Sequence, residues 1–388
     1  MINDNVQAII LAAGKSTRFN TGSSKLVERI CGKEMIVHTT NVLKKMNIPT
    51  TLVVGYKKEL VEEAIKKHYP KGNFTFVHQA EQLGTGHALQ CTKQTWNKEH
   101  ILVMNGDTPL LTEELLQRLI DKHIETDAVM SFIVARNVDP SVQGYGLVIS
   151  SNNQIKIIEE NDVNCEQEDL CNLNGGIYLL KKSFLEHYLD SLPRNAQSGE
   201  VYLTTLAEIA SDHGLTISIV DASFDEVRGV NTLRELWVAE QIKRSELIDY
   251  WMNRGVRFSA AQNVHLDETV KIGRGTYIGS GVQLFGNTEI GEHCSISAFT
   301  VLTDAKIGSN CLLRPHTVVR ESIIGNMCKI NSFSYIHANS IVEDNCSIES
   351  FTEITNQVIS QSHHFTKKDK TFVAAFKAST DKSFSDSL

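Results

Sequence analysis

Apolar and polar positions follow two different rhythms along this chain. From residue 1 to residue 230, short apolar runs at 8–13, 51–54, 74–77, 101–104 and 129–134 alternate with stretches whose apolar residues recur at helical spacing. Runs of that length read as buried strands, and strands alternating with helices predict a mostly parallel sheet covered on both faces, an α/β domain of Rossmann-like architecture. Ligands of such sheets collect at the carboxyl ends of the strands. Here those ends are the loop after Leu11 and the Asn105-Gly106-Asp107 turn after Met104. Residues 232–253, with Leu233, Leu236, Trp237, Ala239, Ile242, Leu247 and Trp251, predict one long helix that Gly255 terminates.

Beyond that helix the period becomes six. Aliphatics fall at Leu266, Ile272, Ile278, Leu284, Ile290, Ile296 and Leu302, then after a one-residue slip at Ile307, Leu313 and Val319. After a second slip they continue at Ile324, Ile330, Ile336, Val342, Ile348 and Ile354. Two positions before each stands a small or β-branched residue, among them Thr276, Cys294, Ala305, Cys311, Thr317, Cys328, Ser340 and Cys346. This pattern predicts a hexapeptide-repeat left-handed parallel β-helix, each face pointing one aliphatic into a narrow prism beside a small neighbour. Gly273, Gly279, Gly291, Gly308 and Gly325 directly follow an aliphatic, where tight turns are expected to need them. The coils are expected to stop near residue 354. The domains so predicted are 1–230, a linker helix at 231–255, the β-helix at 256–360 and an arm or disordered tail at 361–388.

Composition narrows the function. The 388 residues carry a net charge of −8, against a surface built for nucleic acid or an anionic membrane. No apolar run is long enough to span a bilayer, and the first residues lack the positive region that opens a signal peptide, so a cytoplasmic protein is expected. The eight cysteines include no Cys-x-x-Cys pair, and four of them occupy the small-residue slot of the repeat. They are expected to be reduced packing residues.

Against this acidic background the cations near the amino terminus stand out. The first apolar run empties into Gly14-Lys15-Ser16-Thr17-Arg18 and closes on Ser24-Lys25-Leu26, a glycine turn with three cations suited to a polyphosphate. A Walker A loop needs a glycine five residues before Gly14, where Ile9 stands. It is a phosphate loop of another kind.

The segment Leu11-Ala12-Ala13-Gly14-Lys15-Ser16-Thr17-Arg18 with Lys25 resembles the signature loop of sugar-phosphate nucleotidylyltransferases. Residues 79–88, Gln-Ala-Glu-Gln-Leu-Gly-Thr-Gly-His-Ala, resemble the nucleobase segment of the bacterial N-acetylglucosamine-1-phosphate uridylyltransferases, usually fused to a glucosamine-1-phosphate acetyltransferase. Gly106-Asp107-Thr108-Pro109-Leu110, Gly144-Tyr145-Gly146, Ile158-Glu159, Asn174-Gly175-Gly176 and Gly229-Val230-Asn231 follow in that family's order. The resemblance implies transfer of UMP from UTP to N-acetylglucosamine-1-phosphate, by in-line attack of the sugar phosphate on the α-phosphorus. That nucleophile is already an anion, so positioning and charge neutralisation carry the reaction.

Within that resemblance Arg18 and Lys25 are the catalytic cations, and Asp107 and Asn231 supply oxygens to Mg²⁺. Leu11, Ala12, Gly14, Gln79, Gly84, Thr85, Gly144, Glu159, Asn174 and Asn231 bind the substrates, with Gln79, Gly84 and Thr85 at the uracil and Gly144, Glu159 and Asn174 at the sugar. His87 is taken as structural. Singly, Asp107 reads equally as a turn or cap residue, Asn174 and Asn231 as turn formers and Glu159 as a solvated charge.

The second activity departs from the pattern. The family's acetyl site uses an Arg-Pro segment, a lysine pair, a histidine base in Ala-Gly-His and a later Asn-Tyr-Asp loop. This chain has Arg314-Pro315, but Ser340 stands roughly where the histidine would, His337 falls on a repeat turn, and no Asn-Tyr-Asp occurs. The acetyltransferase half is expected to be truncated or degenerate, and the β-helix to assemble a homotrimer. A different nucleotide or sugar-1-phosphate, a surviving acetyl-CoA activity, and a non-catalytic nucleotide-sugar-binding scaffold remain as alternatives.

Overall fold

Val6–Ala12 (β1) is buried almost throughout because it lies at the middle of a sheet covered on both sides. In the computed structural model the described residues are 2–15, 17–19, 22–72, 74–136, 144–151, 154–162, 172–360 and 364–365. Strand β1 pairs in parallel with Thr50–Val54 (β2) and His100–Asn105 (β4), and β2 with Phe74–His78 (β3). Further along are Met130–Arg136 (β5), Leu147–Ser151 (β6), Gln154–Ile158 (β7), Asn172–Lys181 (β8) and Ile217–Ala222 (β9). The order is β9-β5-β8-β4-β1-β2-β3, with β6 joining β8 to β7.

The apolar runs at 51–54, 74–77, 101–104 and 129–134 each fall in one of these strands, displaced by at most a residue or two. One feature they did not reveal is direction: β8 runs antiparallel between β4 and β5. Its register shifts between Asn174 and Tyr178, a bulge of the sort that re-aims a side chain beside a site.

Helices Met35–Lys45 (α1), Lys58–His68 (α2), Thr85–Gln90 (α3), Glu113–Glu125 (α4), Lys182–Tyr188 (α5) and Thr205–Asp212 (α6) connect the strands, and Leu233–Met252 (α7) follows them. The chain divides into two compact units, Met1–Gln241 and Ile242–Leu388, with the boundary inside α7. No helix among the described residues is long and apolar enough to cross a membrane.

In the second unit three parallel sheets of short strands stack in register, with Arg257, His265 and Lys271 each opening a sheet. All the repeat aliphatics from Leu266 to Ile354 are at most 5% exposed, and their small partners from Val264 to Thr352 are buried beside them. The slips from Leu302 to Ile307 and from Val319 to Ile324 both fall at the corner between the second and third sheets. A turn shortened there by one residue leaves the ladder register intact.

Two expectations need correction. The coils run past residue 354: Val358–Ile359 pairs with Ile341–Val342, and His364–Phe365 pairs with Ser347–Ile348, with Ile359 and Phe365 in the core. A third slip at the same corner and an aromatic in an aliphatic slot hid them. Of the expected tail, 361–363 and 366–388 lie outside the described residues.

The second correction concerns the glycines. Gly273, Gly279, Gly291, Gly308 and Gly325 do not have positive φ. A Cβ on Gly273 would stand 2.5 Å from the Glu292 nitrogen and one on Gly308 2.6 Å from the Gly325 carbonyl carbon, so close approach of successive coils requires them. The left-handed positions lie two residues later and include His293, Phe299, Asn310, His316, Met327 and Phe333 at φ of 56–61°. Each is held by an amide bond to the preceding coil, as Phe299 N–H to the Ser280 carbonyl at 3.0 Å. On this column Phe299, His316, Phe333 and Phe351 stack with ring centroids 4.9–5.2 Å apart.

Cys294, Cys311, Cys328 and Cys346 are buried and form no disulfide, each with its Sγ 3.0 Å from a carbonyl oxygen of the next coil. Cys165 and Cys171 lie outside the described residues.

Between α4 and the sheet, His123 is fully buried, with Nε2 3.1 Å from His100 Nδ1 and Nδ1 2.8 Å from the Ser131 hydroxyl. Burial, then the neighbouring His100, depresses the His123 pKa to about 3, and burial lowers that of His100. The unfolded chain then binds protons that the native state refuses. Stability contributed by the neutral pair is present above pH 6.5 and is lost as pH falls from there toward 3, at about 1.4 kcal/mol per pH unit for each proton. Melting temperature followed from pH 7.5 to 4 should fall below pH 6.5, and His123→Gln should make that limb shallower. An unchanged slope in the variant contradicts the assignment.

Candidate functional site

The carboxyl ends of β1 and β4 lie side by side because the two strands pair in register, Leu11 opposite Asn105. The Gly106 amide closes onto the Leu11 carbonyl at 3.0 Å, which sets the turn carrying Asp107 beside the glycine loop. A Cβ on Gly106 would meet Ile36 at 2.9 Å, so the turn packs tightly on α1. From the other side the Val230 amide bonds the Asp107 carbonyl at 2.9 Å and brings in Asn231.

Asn231 is fixed by a device the sequence displayed but that was not singled out. Thr232 and Glu235 form a capping box at the start of α7: the Thr232 hydroxyl accepts from the Glu235 amide at 3.2 Å, and the Glu235 carboxylate accepts from the Asn231 and Thr232 amides at 2.7 and 2.8 Å. The Thr-x-x-Glu spacing was the available signal.

An open cleft of 380 Å³ runs along these strand ends. Leu11, Ala12, Gly14, Arg18, Lys25, Gln79, Gly84, Thr85, Asp107, Gly144, Glu159, Asn174 and Asn231 all line it. Lys15, the third cation of the loop, is exposed and is not among the lining residues.

At the centre the Lys25 ammonium donates to Asp107 Oδ2 at 2.5 Å and to Asn231 Oδ1 at 2.6 Å. The Lys25 and Asp107 side chains are only 14% and 17% exposed, so this pair is little screened by solvent. Arg18 pairs with Glu160 at 3.3 Å in a wetter position, with exposures of 54% and 40%. Gly144 has φ +96°, and a Cβ there would stand 3.2 Å from Arg18 Nη1, so glycine gives the guanidinium its room.

Gln79 lines the cleft and is 3% exposed. Its Nε2 donates to the Gly84 carbonyl at 3.2 Å and meets His87 Nδ1 at 3.0 Å. Both amide protons are thus directed within the segment, and Oε1 is the end left to face a ligand. His87 thus lies against the Gln79 side chain. Residues 84–86 are tied to the chain around Val201: the Gly86 amide donates to the Val201 carbonyl at 2.8 Å, and the Thr85 hydroxyl accepts from the Leu203 amide at 3.0 Å.

Elsewhere in the lining Asn174 donates to the Tyr178 hydroxyl at 2.5 Å, and Glu159 accepts from the Thr204 hydroxyl at 2.6 Å. Burial pushes the Glu159 carboxyl above the usual carboxylate range, Asp162, Glu200 and Glu160 push the same way, and the Thr204 hydrogen bond opposes them. Burial raises the Tyr178 and Tyr145 phenols as well, and the Tyr145 hydroxyl accepts from the Gly229 amide at 2.7 Å. Thr204, Tyr178 and Glu160 were not anticipated, since none sits in a motif that marks it.

Comparison with known proteins shows the family of the chain. Residues 8–157 match the family of MobA-like NTP transferase domains, and residues 260–372 match the GMPPB C-terminal domain. The bifunctional protein GlmU of Clostridioides difficile strain 630 is 35% identical over 360 residues, covering 92% of this chain and 77% of that protein.

The chain belongs to the GlmU family.

GlmU of Clostridium botulinum strain Eklund 17B is 34% identical over 293 residues, and this chain spans 63% of its length. A crystal structure from Bacillus anthracis, assigned as a glucose-1-phosphate thymidylyltransferase and solved with sucrose, covers 62% of this chain and 95% of that one with a TM-score of 0.51. At 19% identity it shows the shared fold alone. The first unit is therefore a sugar-1-phosphate nucleotidyltransferase domain.

Gly84 gives a sharp test of the loop geometry. It has φ +100°, and a Cβ there would stand 2.5 Å from the Val201 carbonyl oxygen. Gly84→Ala should store about 1–3 kcal/mol of strain and displace the segment. The expected outcome is a several-fold rise in the KM for nucleotide with a lowered melting temperature. An unchanged KM shows that the segment does not touch the nucleotide.

Proposed function

We propose that this protein transfers UMP from UTP to N-acetylglucosamine-1-phosphate, giving UDP-N-acetylglucosamine and pyrophosphate. The observation that carries the reading is the meeting of Lys25, Asp107 and Asn231 at one point of a cleft that Gln79 also lines. A sugar-phosphate oxygen forms the new bond to the α-phosphorus as the bond to pyrophosphate breaks. The attacking oxygen is already anionic, so no general base is needed, and the work left to the protein is alignment and neutralisation.

Arg18 offers a fork to the outer phosphates, and Lys25 a mobile point charge to the α-phosphate or the incoming phosphate. Gln79 Oε1 is an acceptor suited to the N3–H of uracil and mismatched to cytosine, whose N3 is itself an acceptor. Glu159 accepts from sugar hydroxyls, and Asn174, held by Tyr178, completes the sugar end beside Gly144.

Asp107 and Asn231 fit Mg²⁺: their oxygens already converge on one cation, and one carboxylate with one amide is the sparse hard-donor set this ion takes when phosphates and water complete its shell. When bound there, Mg²⁺ supplies positive charge against the nucleotide phosphates. A cytoplasmic location accords with these substrates.

The acetyltransferase activity is absent in this proposal. Ser340, near the family histidine position, is 1% exposed in the prism wall, and His337 is bound to Glu353 at 2.8 Å and stacked on Tyr335. The β-helix serves instead to assemble a homotrimer, a role supported by the in-register Ile323, Ile341 and Val358 that one sheet presents outward at 47%, 39% and 51% exposure.

Pyrophosphate release from UTP and N-acetylglucosamine-1-phosphate with Mg²⁺ is expected, and Asp107→Ala should lower it by about 10²- to 10³-fold. No turnover, or full turnover in the variant, rejects the reading. A panel of four nucleotides against several sugar phosphates should show UTP and N-acetylglucosamine-1-phosphate preferred. Acetyl-CoA with glucosamine-1-phosphate should release no thiol, and light scattering should give three times the chain mass, whereas a monomer mass contradicts the assembly.

A further inference from the structure

Lys25 spends two of its three N–H donors on the two oxygens that the proposed function gives to the metal, Asp107 Oδ2 at 2.5 Å and Asn231 Oδ1 at 2.6 Å. We infer that the Lys25 ammonium occupies the cation position of the free site, so that it and a divalent cation exclude one another there until nucleotide phosphates draw the lysine away.

The physical grounds are charge, geometry and burial. A divalent ion needs the same lone pairs at about 2.0–2.1 Å. An ammonium left in place within a few ångströms would repel it, in a spot where exposures of 14% and 17% allow little screening. Without Lys25 the Asp107 carboxylate would be a largely buried charge lacking its partner, so the lysine also keeps the empty site folded and neutral. Arg18 is held in the same manner by Glu160, more loosely because both groups are wetter.

The exchange asks little of the backbone. Asn231 is fixed through its own amide by the Glu235 carboxylate, and Asp107 through its carbonyl by the Val230 amide, so both oxygens stay in place when the cation changes. Only the lysine has to move, on a flexible four-carbon stem rooted in the short turn Lys25–Val27. An incoming triphosphate offers it a stronger anion than Asp107 and frees both oxygens at once. Nucleotide and metal ion then raise each other's affinity by the same factor, although they need not share a ligand atom on the protein. Lys25 thus acts twice, first as a placeholder and then on the phosphates.

This inference rests on Asp107 and Asn231 being the metal ligands, and the experiment separates the two. Mn²⁺ is titrated into the full-length protein without nucleotide, with bound ion read by electron paramagnetic resonance, for wild type, Lys25→Met, Lys25→Gln and the double variant Lys25→Met with Asp107→Asn. Melting curves confirm that each is folded, and the glutamine variant stands in if the methionine variant is not. The expected result is weak binding by wild type, one site about 10- to 100-fold tighter once the ammonium is removed, and loss of that site in the double variant. Equal or weaker binding by both Lys25 variants overturns the placeholder role. A tight site that survives Asp107→Asn overturns the assignment of the ligands instead.

Discussion

A nucleotide and a sugar phosphate repel one another, and the whole of the first unit is arranged to offset that repulsion at one spot. The sheet delivers the ends of β1 and β4 side by side, so the glycine loop and the Asp107 turn share a rim. Positive charge enters from the loop as Arg18 and Lys25, and acceptor oxygens enter from the turn and from just before α7. These opposite charges pair with each other, Lys25 with Asp107 and Arg18 with Glu160. In the proposed function the same few side chains also do the binding, and the two pairs differ in screening because one is buried and the other wet.

The second unit obeys a different constraint, the width of a prism only one aliphatic wide per face. Valine, threonine, serine, cysteine and alanine fill the slot beside each aliphatic because nothing much larger fits, and several of their hydroxyls and thiols reach carbonyls of neighbouring coils, as Ser334 does to Glu349 at 2.9 Å. Glycine is demanded where coils approach most closely. The left-handed corners, by contrast, accept phenylalanine, histidine and asparagine, since the amide bond to the preceding coil holds a conformation that an isolated residue would disfavour. An exposed aromatic stack grows on those corners as a by-product of the register.

Much of this was legible because it is periodic or clustered. The six-residue rhythm named every buried aliphatic from Leu266 to Ile354, since one inward position per face leaves no freedom to drift. It failed at Ile359 and Phe365, where a shortened corner and an aromatic broke the count although the ladder continued. The strand runs of the first unit were visible, but the antiparallel course of β8 was not, because direction is decided by tertiary pairing and not by composition. At the site, residues within glycine-rich motifs were found, and they do line one cleft. Thr204, Tyr178 and Glu160 were not, for they act by position on elements with ordinary sequences. The glycines after each aliphatic were found for the wrong reason, as a sequence cannot tell a positive φ from a neighbour's backbone 2.5 Å away.

The central claim is that Lys25, Asp107 and Asn231 surround the place where phosphate and cation meet. A crystal structure with UTP, Mn²⁺ and a sugar phosphonate that cannot react tests it most directly, the metal being located by anomalous scattering. The account predicts one manganese peak bridging the Asp107 and Asn231 oxygens and the nucleotide phosphates, with Lys25 Nζ moved onto phosphate oxygen. Nucleotide bound away from these residues, or a metal peak with Lys25 still seated between Asp107 and Asn231, would contradict it.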